Sequence, residues 1–224
     1  MNLGIFSDFY YIDIKEDFSV SHWKPVEIMS KTYPGELYPY IYNIIGPISR
    51  AASVLVENKW YIFGGAINTC ENTNNLWCFN FDKMVWHLIK PKTKVLPPCI
   101  DSHSICHYKA NGIDYLVIFG GFIGEQYGEC WNQVIKYDIT NGKWLLPYKE
   151  DNLILASQSG PCPRSGHGAV IKGDFLYIFG GTDGEARYND LWKYDLRNNH
   201  WTQIKTGNPP AVRLYNFHLN LIAS

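Results

Sequence analysis

No window of this sequence repeats its apolar residues with the 3.6-residue period of an amphipathic helix, which predicts little helix. No apolar run approaches the roughly 20 residues a helix needs to cross a bilayer. The opening MNLGIFSDFYYIDIKEDF has no basic stretch leading into an apolar one, so no secretory leader is expected. Neither sign of charge dominates: the formal net charge is −1. A nucleic-acid or anionic-membrane partner usually demands a clustered basic excess, and none is expected here. The six cysteines form no Cys-x-x-Cys pair, which speaks against a zinc ribbon or a thioredoxin-like motif. They read as reduced thiols of a cytoplasmic protein. Gly-x-Ser-x-Gly, His-Glu-x-x-His and a phosphate-cradling glycine loop are all missing as well.

Aromatic residues, in contrast, are abundant. They make up 16% of the chain, with 8 Trp and 16 Tyr, and such rings pack well on pleated sheets. Their placement is periodic. A heptad recurs as SDFYYID (7–13), NNLWCFN (74–80), NQVIKYD (132–138) and NDLWKYD (189–195), each followed by a tryptophan at Trp23, Trp86, Trp144 or Trp201. Upstream of the last three copies stand KWYIFGG (59–65), DYLVIFGG (114–121) and FLYIFGG (175–181). Further upstream come PISRAASVLV (47–56), DSHSICHY (101–108) and PRSGHGAVI (163–171). The Gly-Gly pairs begin at 64, 120 and 180, so the period is 56 to 60 residues. Features recurring in fixed order at one period mark a repeat architecture. Each unit reads as four short strands, a to d, joined by turns rich in Asn, Asp and Gly: a four-stranded antiparallel meander.

The stretch PRSGHGAVIKGDFLYIFGGTDGEARYNDLWKYDLRNNHW (163–201) resembles the kelch family, whose repeats carry a Gly-Gly doublet and a spaced Tyr and Trp downstream. The WD40 and sialidase signatures are missing. The resemblance covers nearly the whole chain and implies an all-β, kelch-type β-propeller in which each repeat is one blade. Its motif residues here are Gly64, Gly65, Gly120, Gly121, Gly180 and Gly181, then Phe79, Tyr137 and Tyr194, and Trp23, Trp86, Trp144 and Trp201. Stacked blades cover one another's apolar faces, so these aromatics are expected to pack between blades rather than to do chemistry.

About 3.5–4 blades are expected: strands c and d of a first blade at 1–28, blades at 47–88, 100–146 and 163–203, and the opening strand of another at 209–224. That count suggests part of a larger propeller, and incomplete blades would favour self-association. A meander puts the b–c loops and the d–a connections on one face, and those segments are the longest and the most varied. That face is the expected surface for a protein or peptide partner. On it Gln126, Tyr127, Arg187 and Tyr188 are the first candidates, and Lys90, Lys92, Lys94 and Tyr148 the second. In the best-studied kelch proteins a partner peptide binds this face, although none of the individual residues carries over.

His103 and His167 recur at one strand position and read as scaffold. The i, i+4 pair His103 and His107 shares no productive face on a strand. Galactose oxidase shares this architecture and holds copper with Tyr and His; no such ligand set can be assembled from the sequence without the fold geometry, and an intrinsic copper-type oxidase stands as a third possibility. The reading is therefore a non-catalytic interaction module without metal or cofactor. The alternative is the regulatory or substrate-recognition region of a larger enzyme system, such as a phosphatase, a methyltransferase or a ubiquitin-ligase adaptor.

Overall fold

The computed structural model describes residues 10–11, 24–25, 45–68, 71–124, 128–147, 160–211 and 219. These residues form strands and turns and contain no helix. The first hairpin pairs β1 (Tyr10–Tyr11) with β2 (Lys24–Pro25); the rest of the 1–28 expectation, Trp23 included, lies outside the described residues. Next comes a meander of β3 (Ala52–Val56), β4 (Lys59–Phe63), β5 (Leu76–Asn80) and β6 (Val85–Leu88). The following segment carries β7 (Ile100–Asp101), β8 (Ser104–Ala110), β9 (Ile113–Phe119), β10 (Phe122–Ile123), β11 (Glu129–Cys130), β12 (Val134–Asp138) and β13 (Lys143–Leu145). There β8-β9-β12-β13 form the second meander, while β7, β10 and β11 make a small sheet of their own. The third meander is β14 (Gly168–Lys172), β15 (Phe175–Phe179), β16 (Leu191–Asp195) and β17 (His200–Ile204). The chain is thus all-β, built from four-stranded antiparallel sheets of the kind that make propeller blades.

The recurring heptad residues explain the local structure. Its last residue caps the turn into strand d. The side-chain oxygen Oδ1 of Asn80 accepts the amide of Lys83 at 3.0 Å, that of Asp138 the amide of Asn141 at 2.8 Å, and that of Asp195 the amide of Asn198 at 2.9 Å. Such Asx contacts satisfy backbone donors that a tight turn would otherwise strand. The heptad's first residue reaches outward. Asn74, Asn132 and Asn189 donate from Nδ2 to the carbonyls of Pro97, Pro161 and Pro210, at 2.8, 2.9 and 3.4 Å. Asn74 and Asn132 thereby clamp the chain just before the next repeat's strand a; the strand expected at 209–224 lies almost wholly outside the described residues.

The first strands β3, β8 and β14 of the three meanders lie side by side, and the sheets pack face to face around them. Between the first and second sheets, Tyr61, Phe63 and Leu76 bury against Ile118, Ile135, Tyr137 and Trp144. Between the second and third, Tyr108, Val117 and Phe119 bury against Ile178, Tyr194 and Trp201. The tryptophans sit at equivalent places in these seams. Trp144 contacts Tyr137 of its own sheet and Phe63 of the preceding one, both at 5.0 Å between centroids. Trp201 contacts Tyr194 at 4.8 Å and Phe119 at 5.1 Å. Each such ring buries about 150 Å² or more, about 4 kcal/mol of apolar transfer at roughly 25 cal/mol per Å².

The Gly-Gly doublets divide two tasks. A Cβ on Gly64 would stand 2.5 Å from the carbonyl oxygen of Ile100 and 2.7 Å from His103 Cε1, both in the next repeat. A Cβ on Gly65 would stand 2.8 Å from Ser49 O and from the side chains of Ile48 and Ala51, in its own repeat. Gly120 and Gly121 behave in the same way toward Arg164 and His167, and toward Asp101 and His103. One glycine lets the neighbouring sheet in, and the other lets its own first strand in. The second also donates across the seam: Gly65 N to Ile100 O at 2.7 Å, and Gly121 N to Arg164 O at 2.9 Å. The doublets adopt φ of 64° and 95°, 65° and 103°, and 70° and 90°, conformations that other residues populate only at a cost.

Candidate binding face

The b–c loops are not irregular. After each doublet the chain forms a short ladder: Ser49–Ala66–Asn72 in the first repeat, β7–β10–β11 in the second and Ser165–Thr182–Arg187 in the third. These hairpin extensions project from one end of the sheets and are tied to one another. Asn72 Nδ2 donates to Phe122 O at 3.4 Å and to Gly124 O at 3.2 Å. The Cys130 thiol lies 3.6 Å from Ser165 Oγ and 3.5 Å from Thr182 O. Three successive loops therefore form one stitched surface. Ile67, Glu129 and Arg187 are exposed on it.

The third extension is the most thoroughly braced. Asp183 Oδ1 accepts the amides of Glu185 and Ala186 at 2.9 and 2.7 Å, closing an Asx turn, and its Oδ2 accepts the Tyr188 hydroxyl. Burial pushes the Asp183 carboxyl up, but these hydrogen bonds outweigh it and hold its pKa below the usual range. Burial and the Asp183 bond together push the Tyr188 phenol up, so it stays protonated and donating. The Tyr188 ring lies 4.3 Å beneath the Arg164 guanidinium.

Arg164 has no exposed surface. It pairs bidentately with Asp190, at 2.7 and 3.0 Å, and donates to Gly180 O at 2.8 Å and Cys162 O at 3.1 Å. Asp190 is pushed up by burial and pulled down more strongly by Arg164 and the Trp192 indole, for a net lowering. Arg164 was not among the expected site residues, because the repeated strand-a string marks it only as a scaffold position. Its one visible signal was its position inside the repeated strand-a string.

The expected site residues do not all converge. Arg187 is exposed, and Tyr188, half-buried, is committed to Asp183 and Arg164. Gln126, Tyr127 and Tyr148 lie outside the described residues. Lys90, Lys92 and Lys94 are exposed, but their segment leaves the b–c end of the sheets. Lys92 N donates to Gly142 O at 2.8 Å, and Trp144 N donates to Thr93 Oγ1 at 3.3 Å. Gly142 belongs to the c–d turn at the opposite end, so this d–a connection runs down the outer edge of β13 instead of staying among the b–c loops. The reason is that β13 is an edge strand, and its free backbone groups attract a covering segment.

The two strand-a histidines are buried. Desolvation pushes His103 and His167 down to about 3, with the nearby Arg164 charge adding to the effect at His167. Both are neutral at ordinary pH. Phe63 meets His103 edge-on at 5.4 Å, Phe119 meets His167 at 5.0 Å, and His167 Nε2 lies 2.9 Å from Ser104 Oγ. They act as flat packing groups across the seams. Among the described residues no three His, Cys, Asp or Glu side chains converge as a metal site would require.

Comparison with known proteins agrees with this geometry. Residues 50–220 match the family model described as the KLHDC2/KLHL20/DRC7 Kelch-repeats domain. Similar proteins include Tip elongation aberrant protein 1 of Schizosaccharomyces pombe, 32% identical over 148 residues that cover 64% of this chain and 12% of that protein. Human Kelch domain-containing protein 3 is 29% identical over 178 residues, covering 75% of this chain and 44% of that protein. Human Host cell factor 1 is 35% identical over 142 residues, covering 57% of this chain and 6% of that protein. The matched region thus spans less than half the length of each of these relatives. With the doublets, the capped heptads and the seam tryptophans all in the order of that family's repeat, the chain belongs to the kelch-repeat family.

Proposed function

We propose that this chain is a non-catalytic interaction module that engages a protein or peptide partner through the face carrying its b–c extensions. The observation that carries the reading is the stitching of the three extensions into one braced surface, through Asn72 and Cys130. A surface ordered before binding loses little conformational entropy when a partner docks. Arg187 is the exposed anchor; Asp183, Tyr188 and Arg164 hold the loop that presents it. Arginine offers a planar, multidentate donor and is among the side chains that dominate binding energies. Chemistry-bearing groups elsewhere are taken up in packing, as the neutral His103 and His167 illustrate.

The test is affinity capture from a lysate with the chain and its Arg187→Glu and Asp183→Ala variants, with partners identified by mass spectrometry. Partners retained by the wild type and lost from both variants support the reading. Retention of every partner by both variants removes the site from this face. A second reading rests on the small share of each relative that the chain spans: the same face would then recognise substrates or regulators for a larger enzyme assembly. Catalytic subunits among the captured partners would favour it.

A further inference from the structure

An asparagine followed by a glycine can lose its own side-chain amide without an enzyme. The glycine nitrogen attacks the asparagine Cγ, ammonia leaves, and the resulting succinimide ring takes up water to give aspartate or isoaspartate. Water enters and ammonia departs, and no other reactant is required. Glycine favours the attack because no Cβ crowds its nitrogen and its backbone turns freely. The chain holds this pair twice, as Asn111-Gly112 and Asn141-Gly142. Both lie in turns at the end of the sheets opposite the b–c extensions, one between β8 and β9, the other between β12 and β13. Both asparagines are exposed, so exposure does not separate them.

Their bonding does. Asn141 donates from its amide to Asp138 Oδ1 at 2.8 Å and from Nδ2 to Asp138 Oδ2 at 2.7 Å. The Gly142 amide, which would have to attack, donates to Asp138 O at 2.9 Å, and Gly142 O accepts from Lys92 N at 2.8 Å. A Cβ on Gly142 would meet Lys92 and Tyr137 at 3.6 Å. A nitrogen committed to a carbonyl, on a peptide pinned at both ends, is not free to turn onto the neighbouring Cγ. Asn111-Gly112 is instead the two-residue loop of its hairpin, closed by the Ala110–Ile113 pair. Its φ values of 51° and 76° are those of a type I′ turn. The closing pair spends its amides across the ladder, and those of the loop point outward. Among the described residues no backbone acceptor takes the Gly112 amide, and no hydrogen bond holds the Asn111 side chain. A Cβ on Gly112 would meet nothing within 4 Å.

We propose that Asn111 is a site of spontaneous covalent modification, deamidating to aspartate and isoaspartate through attack by the Gly112 nitrogen, while the Asp138 clamp protects Asn141. The product adds a negative charge at the tip of a hairpin in which Lys109 and Asp114 already pair at 3.3 Å. Its isoaspartate form also lengthens the backbone of a loop built for two residues, which loosens the Ala110–Ile113 closing pair.

The test incubates the full folded chain in mildly alkaline buffer and follows it by tryptic peptide mapping with mass spectrometry. Cleavage after lysine places the two pairs in separate peptides, 110–136 and 137–143. The mass gain of an amide-to-acid exchange should accumulate at Asn111 at least about tenfold faster than at Asn141, a barrier difference of about 1.4 kcal/mol. In guanidinium chloride the Asn141 rate should rise to meet that of Asn111, because the local sequence alone then governs both. Asn111→Gln should remove the gain from peptide 110–136. Equal rates at the two sites in the folded chain overturn the proposal. So does an Asn111 that reacts only after unfolding, because the hairpin itself would then block the attack. A gain in peptide 110–136 that survives Asn111→Gln overturns it as well, since another amide would be its source.

Discussion

Arg164 and the two strand-a histidines show how a polar residue becomes part of a β core. Arg164 is tolerated with no exposed surface because Asp190, two carbonyls and the Tyr188 ring meet its donors and its face. Removing one partner of such a pair leaves a buried charge alone, typically a loss of about 3–5 kcal/mol. Arg164→Met is expected to lower stability by that order in urea titration, whereas Arg164→Met with Asp190→Leu should recover much of it. The histidines set an acid limit. Their folded pKa of about 3 lies below the ordinary value of about 6.5, so between those two values the unfolded chain binds more protons than the folded one. Stability should therefore fall as pH drops from about 6.5 toward 3, and His103→Gln should flatten that slope in urea melts taken across the range. Asp190 acts at the lower end of the same range: its folded pKa is depressed, so its contribution is full above the ordinary carboxylate range and is lost as pH falls below it.

At the level of elements, the doublet and the turn glycines carry different loads, although both adopt positive φ. Gly120 has φ of 65°, and a Cβ there would stand 2.7 Å from Arg164 O. Gly173, in the turn between β14 and β15, has φ of 58° with nothing within 4 Å of a built Cβ. Gly173→Ala should cost about 1–2 kcal/mol, the left-handed penalty alone. Gly120→Ala should cost clearly more, because it also drives two sheets apart, and thermal melts of the two variants test the difference. The asparagine clamps are a second element-scale device. Asn132 is 2% exposed and bonded to Pro161 O, so Asn132→Ala strands a buried carbonyl and should cost about 1–3 kcal/mol in the same assay.

For the whole molecule, the packing among the described residues is serial: the second sheet buries one face against the first sheet and the other against the third. On the other side of the first sheet, Ile62, Phe79 and Trp86 are buried together. Repeat arrays of this kind gain stability from neighbour seams more than from any one unit. Trp144→Ala and Trp201→Ala each open one seam and should cost about 3–5 kcal/mol. Because those seams join the second sheet to different neighbours, the double variant should lose close to the sum, within about 0.5 kcal/mol, measured by urea titration.

The sequence was enough to read the repeat: where strands a to d fall, where the turns are, which aromatics recur, and hence the all-β class and the family. Those signals are local, since turn chemistry, alternation and period are written in neighbouring residues. The roles within the repeat were less legible. Nothing in the string Gly-Gly says that one glycine faces the next sheet and the other its own first strand, because that distinction exists only once two sheets pack. Arg164 likewise stood only as one residue of the strand-a string until Asp190, 26 positions away, closed on it. Lys92 looked like a neighbour of Arg187 until the edge of β13 drew its segment to the other end of the sheet. Periodicity determined the elements of this protein, and only the meeting of residues distant in the chain decided which face each side chain serves.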